Sequence, residues 1–450
     1  MNRITGLLCA GIAAAALVAG AAVAAGPDVV VSDSTTLSSY GPVGALRAYS
    51  IGSSTCNIGN QNLAWTNNNT PGFAMNAYRL HDGRLMQIGM SWVKTACCAF
   101  ADPSCGMSCN GAAGSQLGAG CQDVYTSGWN AGQGRLARRS GINAFTGAFA
   151  NADGATGDAI FKRLQVLQSD MDPANFPGAL FFFEGVYAAS DDATWQNWLN
   201  NASYKRVTFN ASYAPTYQGS IFQFKAGIHA WKDHGLGPNT PDPAVTITNV
   251  DIPAEGRLIL GHKVTNLGGG LWRYDYALYN LNSDKSVGEV TVAGPAGVTY
   301  TNIGFNDVNY HSGEIYDNTN WGSASGPGGV TWQSPQTHAQ NPNSNALRWG
   351  TMYNYWFTAN TPPRNGSVAI GLFKPHTPQS VSATTLVPSC FLDGDMNGDG
   401  SVNGADVQDY VNCALAPGLL TAGCFCADMD ENDVVNDLDT TAFVAALLNG

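Results

Sequence analysis

The sequence predicts a mainly β chain, an antiparallel sandwich-type body in one or two lobes, followed by a small C-terminal helical pair. Three observations predict it. From residue 28 to about 388, short apolar and aromatic runs alternate with polar residues and are broken by Gly, Asn, Ser and Thr clusters. In the last sixty or so residues that pattern gives way to an internal repeat with apolar residues at helical spacing. Charge is also unevenly placed: residues 390–450 hold ten Asp, one Glu and no Lys or Arg, which is −11 of the formal −12. The body is thus near-neutral and carries an acidic tail. Nothing in it is a basic patch, which argues against a nucleic-acid partner.

The first element is an export signal. Arg3 opens a short basic start, residues 4–20 are apolar, and Ala22-Val23-Ala24 supplies the small residues a signal peptidase needs. Residues 1–25 therefore read as a signal peptide cleaved near Ala24, with Cys9 removed and the mature chain secreted. No other stretch is long and apolar enough for a membrane span.

Next come the strands. The clearest hairpin joins 257–265 to 271–280 through Asn266-Leu-Gly-Gly-Gly270; Trp272, Tyr274, Tyr276 and Leu278 alternate with Arg273, Asp275 and Ala277, a period of two with one buried face. Further strands are expected at 244–250, 287–292, 298–304, 347–357 and 368–373, and this spacing predicts an immunoglobulin-like sandwich over 241–388. The preceding region, 26–240, is also β-rich, with strands at 86–93, 179–187 and 204–212. A short helix capped by Ser190 is expected to carry Trp195, Trp198 and Leu199, and 160–167 fits either period. The Pro-rich run 238–243 is the candidate joint. The hairpins and aromatic faces predict a body core that is self-contained.

Ten cysteines remain after signal removal: Cys56, Cys97, Cys98, Cys105, Cys109 and Cys121 in the body, and Cys390, Cys413, Cys424 and Cys426 in the tail. Even numbers in an exported chain predict disulfides within each region. A metal cluster at 97–121 is disfavoured, since that stretch has no His.

The tail repeats at an offset of 33 residues. A calcium loop wants oxygens at positions 1, 3, 5, 7, 9 and 12. The first copy offers Asp395, Asn397, Asp399, the Ser401 carbonyl, Asn403 through a water, and Asp406; Gly400 stands at position 6, where the chain turns sharply. The second offers Asp428, Asp430, Asn432, the Val434 carbonyl, Asn436 and Asp439, with Asp433 in place of that glycine. Asp accepts a left-handed turn at some cost, so the second site is expected to be weaker. Val402 at position 8 is expected to pack the loops together. After each loop the apolar positions repeat too: Tyr410 with Phe443, Val411 with Val444, Leu415 with Leu448.

Paired loops with Asp at position 12, each followed by one helix, resemble a type I dockerin domain over residues 390–450. The resemblance implies two bound Ca²⁺ ions, docking onto a cohesin-like or other cell-surface protein, and a chain concerned with polysaccharide breakdown. Recognition in that family leans on hydroxyl-bearing positions 10 and 11; here they are Gly404-Ala405 and Asp437-Leu438.

In the body, Asp307, His311, Glu314 and Asp317 form the densest polar cluster, read first as a loop between strands and otherwise as a base or metal group. Glu184, inside Phe181-Phe-Phe-Glu-Gly185, is expected to point outward from an edge strand; buried, it would be a candidate general acid. His229, Lys232, Asp233 and His234 read as a solvated turn. Most of the eleven tryptophans, all in the body, are expected in the core, and any left exposed could stack on sugar rings. Two functions follow: a non-catalytic polysaccharide-binding or cell-surface component carried by its calcium tail, or a glycoside hydrolase delivered by it. Hydrolysis needs two carboxylates facing one cleft, and the body's acids show no pairing in sequence.

Overall fold

The computed structural model describes residues 24–66, 70–416 and 420–449; most of the expected signal peptide lies outside them. The chain is mainly β with antiparallel sheets and ends in a small helical pair, Val407–Ala414 and Asp437–Asn449.

Strands Thr246–Asp251, Arg257–Gly268, Leu271–Asn280, Thr351–Ala359 and Tyr300–Asn306 form one five-stranded sheet; Gly322–Gly326, Gly329–Gln333, Val287–Val292, Pro363–Leu372 and Ser380–Pro388 form a second. Tyr274, Tyr276, Leu278, Tyr353, Tyr355 and Phe357 of the first sheet meet Val290, Trp332, Val368 and Ile370 of the second in one core. Here the sequence reading needs correction. The hairpin's other face is not solvated: Asp275, Ala277 and Tyr279 are buried as well.

The reason lies in the N-terminal region. A ten-stranded sheet, with Leu180–Ala188, Gly72–His81 and Arg84–Met90 at its centre, lies against that face. Side chains alternate along Leu180–Ala188: Phe182 and Val186 pack towards Ile259, Ala277, Tyr279 and Met352 of the sandwich, while Phe183 and Tyr187 pack away from it. On the far side a three-stranded sheet of Val29–Asp33, Ser53–Asn57 and Gln122–Tyr125 contributes Val29, Val31 and Tyr125 to a further core. The chain is thus layered, and the ten-stranded sheet is buried on both faces at its centre. A core shared across the 238–243 run explains why period-two alternation is lost there: residues 72–80 are buried without a break.

The expected hairpin strands occur, and 160–167 ends in a strand, Leu164–Leu167. The helix at 190 spans Ser190–Thr194, with Trp198–Asn200 a separate 3₁₀ turn; Ser190 lies inside the helix, and Ala189 precedes it without a side-chain cap.

Disulfides pair within regions, as expected: Cys56–Cys105, Cys97–Cys98 and Cys109–Cys121 in the body, Cys390–Cys426 and Cys413–Cys424 in the tail. Among the described residues no helix is long and apolar enough to cross a membrane.

Burial of the Asp192 carboxyl is expected to make stability depend on pH. Asp192 is fully buried; its Oδ1 accepts from Val29 N at 3.1 Å and its Oδ2 from Asn201 Nδ2 at 2.7 Å. Burial pushes its carboxyl up to about 7, outweighing those hydrogen bonds. The folded chain holds this proton more tightly than the unfolded chain. Its contribution therefore favours folding below the ordinary aspartate pKa and is lost as pH rises through about 7. Asp192→Asn cannot ionise, and a turned Asn201 amide would match it at the cost of the 3.4 Å bond from Asn201 Nδ2 to Tyr187 O. It is expected to gain about 1–2 kcal/mol at pH 8 and to change little at pH 4, read by urea unfolding.

Candidate metal centre

Each acidic loop is organised by its own backbone. In the first, Asp395 is buried; its Oδ1 accepts from the amides of Gly398 (2.8 Å) and Asp399 (3.2 Å), its Oδ2 from Gly400 N (2.8 Å). Asp406 closes the loop, accepting from Met396 N (2.8 Å) and Asn397 N (3.2 Å) at Oδ1 and Asn403 N (2.8 Å) at Oδ2.

The second loop reproduces this almost atom for atom. Asp428 accepts from Asn432 N (3.1 Å) and Asp433 N (2.9 Å); Asp439 accepts from Met429 N (2.8 Å), Asp430 N (3.2 Å) and Asn436 N (2.8 Å). Left-handed backbone recurs at matched positions: Gly398 (φ 75°) with Glu431 (54°), and Gly400 (90°) with Asp433 (69°). Glycine enters this region freely and a side chain does not, so the strain sits in the second loop.

Behind the loops, the rings of Tyr410 and Phe443 stack at 3.9 Å and 4°. Met396, Cys413, Cys426 and Ala427 complete the small core, with Val402 and Val435 packed against it. This small core is braced by the disulfides Cys390–Cys426 and Cys413–Cys424.

The donor set suits a hard cation. In the second loop Asp428, Asp430 and Asp439 each offer an oxygen within 4.8 Å of the others. Two of these acids are fully buried, and buried carboxylates brought together repel unless a cation or hydrogen bonds compensate. In the first loop Asn397 stands where the second has Asp430, and its Nδ2 donates to Asp399 Oδ2 at 3.1 Å. The carbonyls of Ser401 and Val434 and the side chains of Asn403, Asn432 and Asn436 lie on the same two loops, at the exposed or half-buried rim.

The polar groups of the body turn out differently. Glu184 does not point outward: it is fully buried in a central strand, because its face meets the sandwich. Its carboxylate accepts from Asn76 Nδ2 (2.6 Å), Tyr78 Oη (2.7 Å) and Gly227 N (2.6 Å), and burial holds its pKa above the ordinary value despite them. His311 is spent on structure, with Nε2 2.8 Å from Met90 O, Nδ1 2.9 Å from Ser312 Oγ, and burial pushing its pKa down to about 4. Glu314 accepts from Ser140 N and Ile315 N, and Asp317 caps its own Thr319. Of the predicted cluster only Asp307 and His311 line one groove; Glu314 and Asp317 are not part of its lining.

The 229–234 segment is no solvated turn either. His234 is buried among the rings of Phe182, Tyr204 and Phe222, because the helix Ala230–Asp233 lies over the sheet. Trp65, Trp92, Trp231, Trp321, Trp332 and Trp349 are core, as expected, while Trp129 and Trp195 are exposed.

A groove that sequence reasoning missed has a volume of about 590 Å³ and lies between residues 306–311 and the ten-stranded sheet. Asp307, Asn309, Gln165 and Asp170 line it, with Arg79 donating to Asp170 Oδ1 at 2.7 Å. Burial raises the Asp307 carboxyl. Asp170 and Asp307 are far apart in sequence and share no motif, so nothing linear marked them as a pair.

Comparison with known proteins adds little. No family model and no curated protein matches the chain. Among solved structures, one described as "Biofilm associated protein - B domain" is 10% identical, covering 90% of this chain and 98% of its own, with a TM-score of 0.13. A likeness that faint carries no argument about fold or function.

Proposed function

We propose that this is a secreted calcium-binding protein whose tail is a dockerin-like pair of EF-hand loops. Its body is then a non-catalytic binding or cell-surface component of an extracellular complex linked to polysaccharide breakdown. The observation that carries the reading is the near-identical hydrogen bonding of the two loops, with converging Asp oxygens in the second. Asp395, Asn397, Asp399, Ser401, Asn403 and Asp406 would hold one Ca²⁺; Asp428, Asp430, Asn432, Val434, Asn436 and Asp439 would hold the other. Five disulfides fit an oxidising compartment.

The repeat also leaves two matched apolar pairs exposed, Val411 with Leu415 and Val444 with Leu448. They support docking to a cohesin-like or cell-surface protein, and Leu415→Asp with Leu448→Asp is expected to abolish calcium-dependent binding to purified cohesins. A second reading, glycoside hydrolysis, is favoured by one observation: Asp170 and Asp307 line the same groove. A polysaccharide screen of the full chain separates the two. Retention on insoluble substrate without reducing-sugar release supports the binding reading, and release abolished by Asp307→Asn supports the enzyme.

A further inference from the structure

We propose that Arg364, on the body, is a positioning residue for the second acidic loop, and that through it an ion in that loop stabilises the sandwich. The proposal rests on the calcium reading above and goes beyond it: the tail becomes a structural part of the body rather than a tethered appendage.

Arg364 is buried near the start of strand Pro363–Leu372. Its Nη2 donates to Asp428 Oδ2 at 2.6 Å and to Asp433 Oδ1 at 3.3 Å, its Nη1 donates to Phe425 O at 3.1 Å, and its guanidinium lies 4.7 Å from the Phe425 ring centre. Asp428 is the first ligand position of the second loop. The oxygen Arg364 grips also accepts Asp433 N; the equivalent oxygen of Asp395 in the first loop accepts Gly400 N, and among the described residues no Lys or Arg pairs with Asp395. The two loops match in sequence and internal bonding, so the arginine is a feature of the second loop's setting. It neutralises one acid from the body side while Asp428, Asp430 and Asp439 still converge.

A second contact runs beside the first. Phe425 is buried in the sandwich core, with Trp332, Val387 and Ile370. Gly366 leaves room for Val387 and the ring together: a Cβ there would clash with Val387 Cγ2 and lie 3.1 Å from Phe425 Cζ. Disulfides Cys390–Cys426 and Cys413–Cys424 fix the segment that presents the ring. The expectation of a self-contained body core is therefore corrected, because a tail residue completes it.

Coupling follows by linkage. An ion that fixes Asp428 fixes the partner of a buried guanidinium, which holds a strand paired to both Val287–Val292 and Ser380–Pro388.

All eleven tryptophans lie between residues 65 and 356, so their fluorescence reports the body alone. In the full chain, excess calcium is expected to raise the tryptophan-detected unfolding midpoint by about 3–6 °C over EGTA. Asp439→Ala, which empties the second loop without touching the arginine's partners, is expected to remove most of that shift, and Asp406→Ala to leave most of it. Arg364→Met is expected to lose the shift while calorimetry still counts two ions, and Arg364→Lys to retain more than half. Should Arg364→Met fail to fold, the two aspartate variants decide. Two bound ions with no change in midpoint would overturn the proposal and leave the calcium reading standing. Absence of any calcium heat would overturn that reading and the coupling with it.

Discussion

Replacing Glu184 with alanine is expected to destabilise the chain by about 3–5 kcal/mol. The carboxylate is the common acceptor of a polar layer buried between the ten-stranded sheet and the sandwich. It takes hydrogen bonds from Asn76, Tyr78 and Gly227 N. Asn76 in turn donates to Gly350 O (2.9 Å) and accepts from Arg139 Nη2 (2.8 Å), and Arg139 Nη1 donates to Gly350 O (3.0 Å). Alanine would take the acceptor from three donors beside a buried guanidinium, and of these Asn76 keeps a partner in Gly350 O while Tyr78 Oη and Gly227 N lose theirs. Glu184→Gln keeps the shape and is expected to cost less. Its cost is also expected to shrink as pH rises. Burial raises the glutamate's folded pKa, so its contribution is fully present below the ordinary value and lost as pH climbs through the raised one. Urea unfolding across pH reads both effects.

Phe425→Ala is expected to be comparably severe, about 3–5 kcal/mol from the lost ring and the cavity left behind. What distinguishes it is where the damage is read. The substituted residue belongs to the tail, yet its ring is part of the sandwich core that also holds Trp332 and Val387, so tryptophan fluorescence of the body should report the loss. A control at Leu415, on the same tail but 78% exposed, is expected to leave the body's unfolding unchanged.

The paired acidic loops were legible in the sequence because their pattern is local. Six oxygen-bearing positions within twelve residues, repeated once, place Asp395 and Asp428 at equivalent points of two loops with matching hydrogen bonds, without help from the rest of the chain. Even the substitution of Asp433 for glycine announced its left-handed backbone, found at φ 69°. The sandwich hairpin was legible for the same reason. What could not be read was set by packing between distant segments. Glu184 reads as an outward residue while its strand is considered alone; it is buried because its face of the strand packs towards Ile259, Ala277, Tyr279 and Met352. His234 needed rings from three separate strands, at Phe182, Tyr204 and Phe222. Asp170 and Asp307 meet at one groove only after the two sheets stack. Phe425 sits among Gly, Cys and Ala in a segment with no strand pattern, so nothing nearby in sequence tied it to the body's core.

The central claim, that the acidic tail is a pair of calcium sites, is tested most directly by titrating calcium into the calcium-stripped full chain and following the heat. Two ions should bind with unequal affinity, the tighter in the first loop, where Gly400 turns freely, and the weaker in the second, where Asp433 holds φ at 69°. Asp406→Ala should remove the tighter event and Asp439→Ala the weaker, while Asn403→Ala, at a position read through water, should weaken the first only modestly. No calcium-dependent heat, or two events that survive in both Asp406→Ala and Asp439→Ala, would contradict the account.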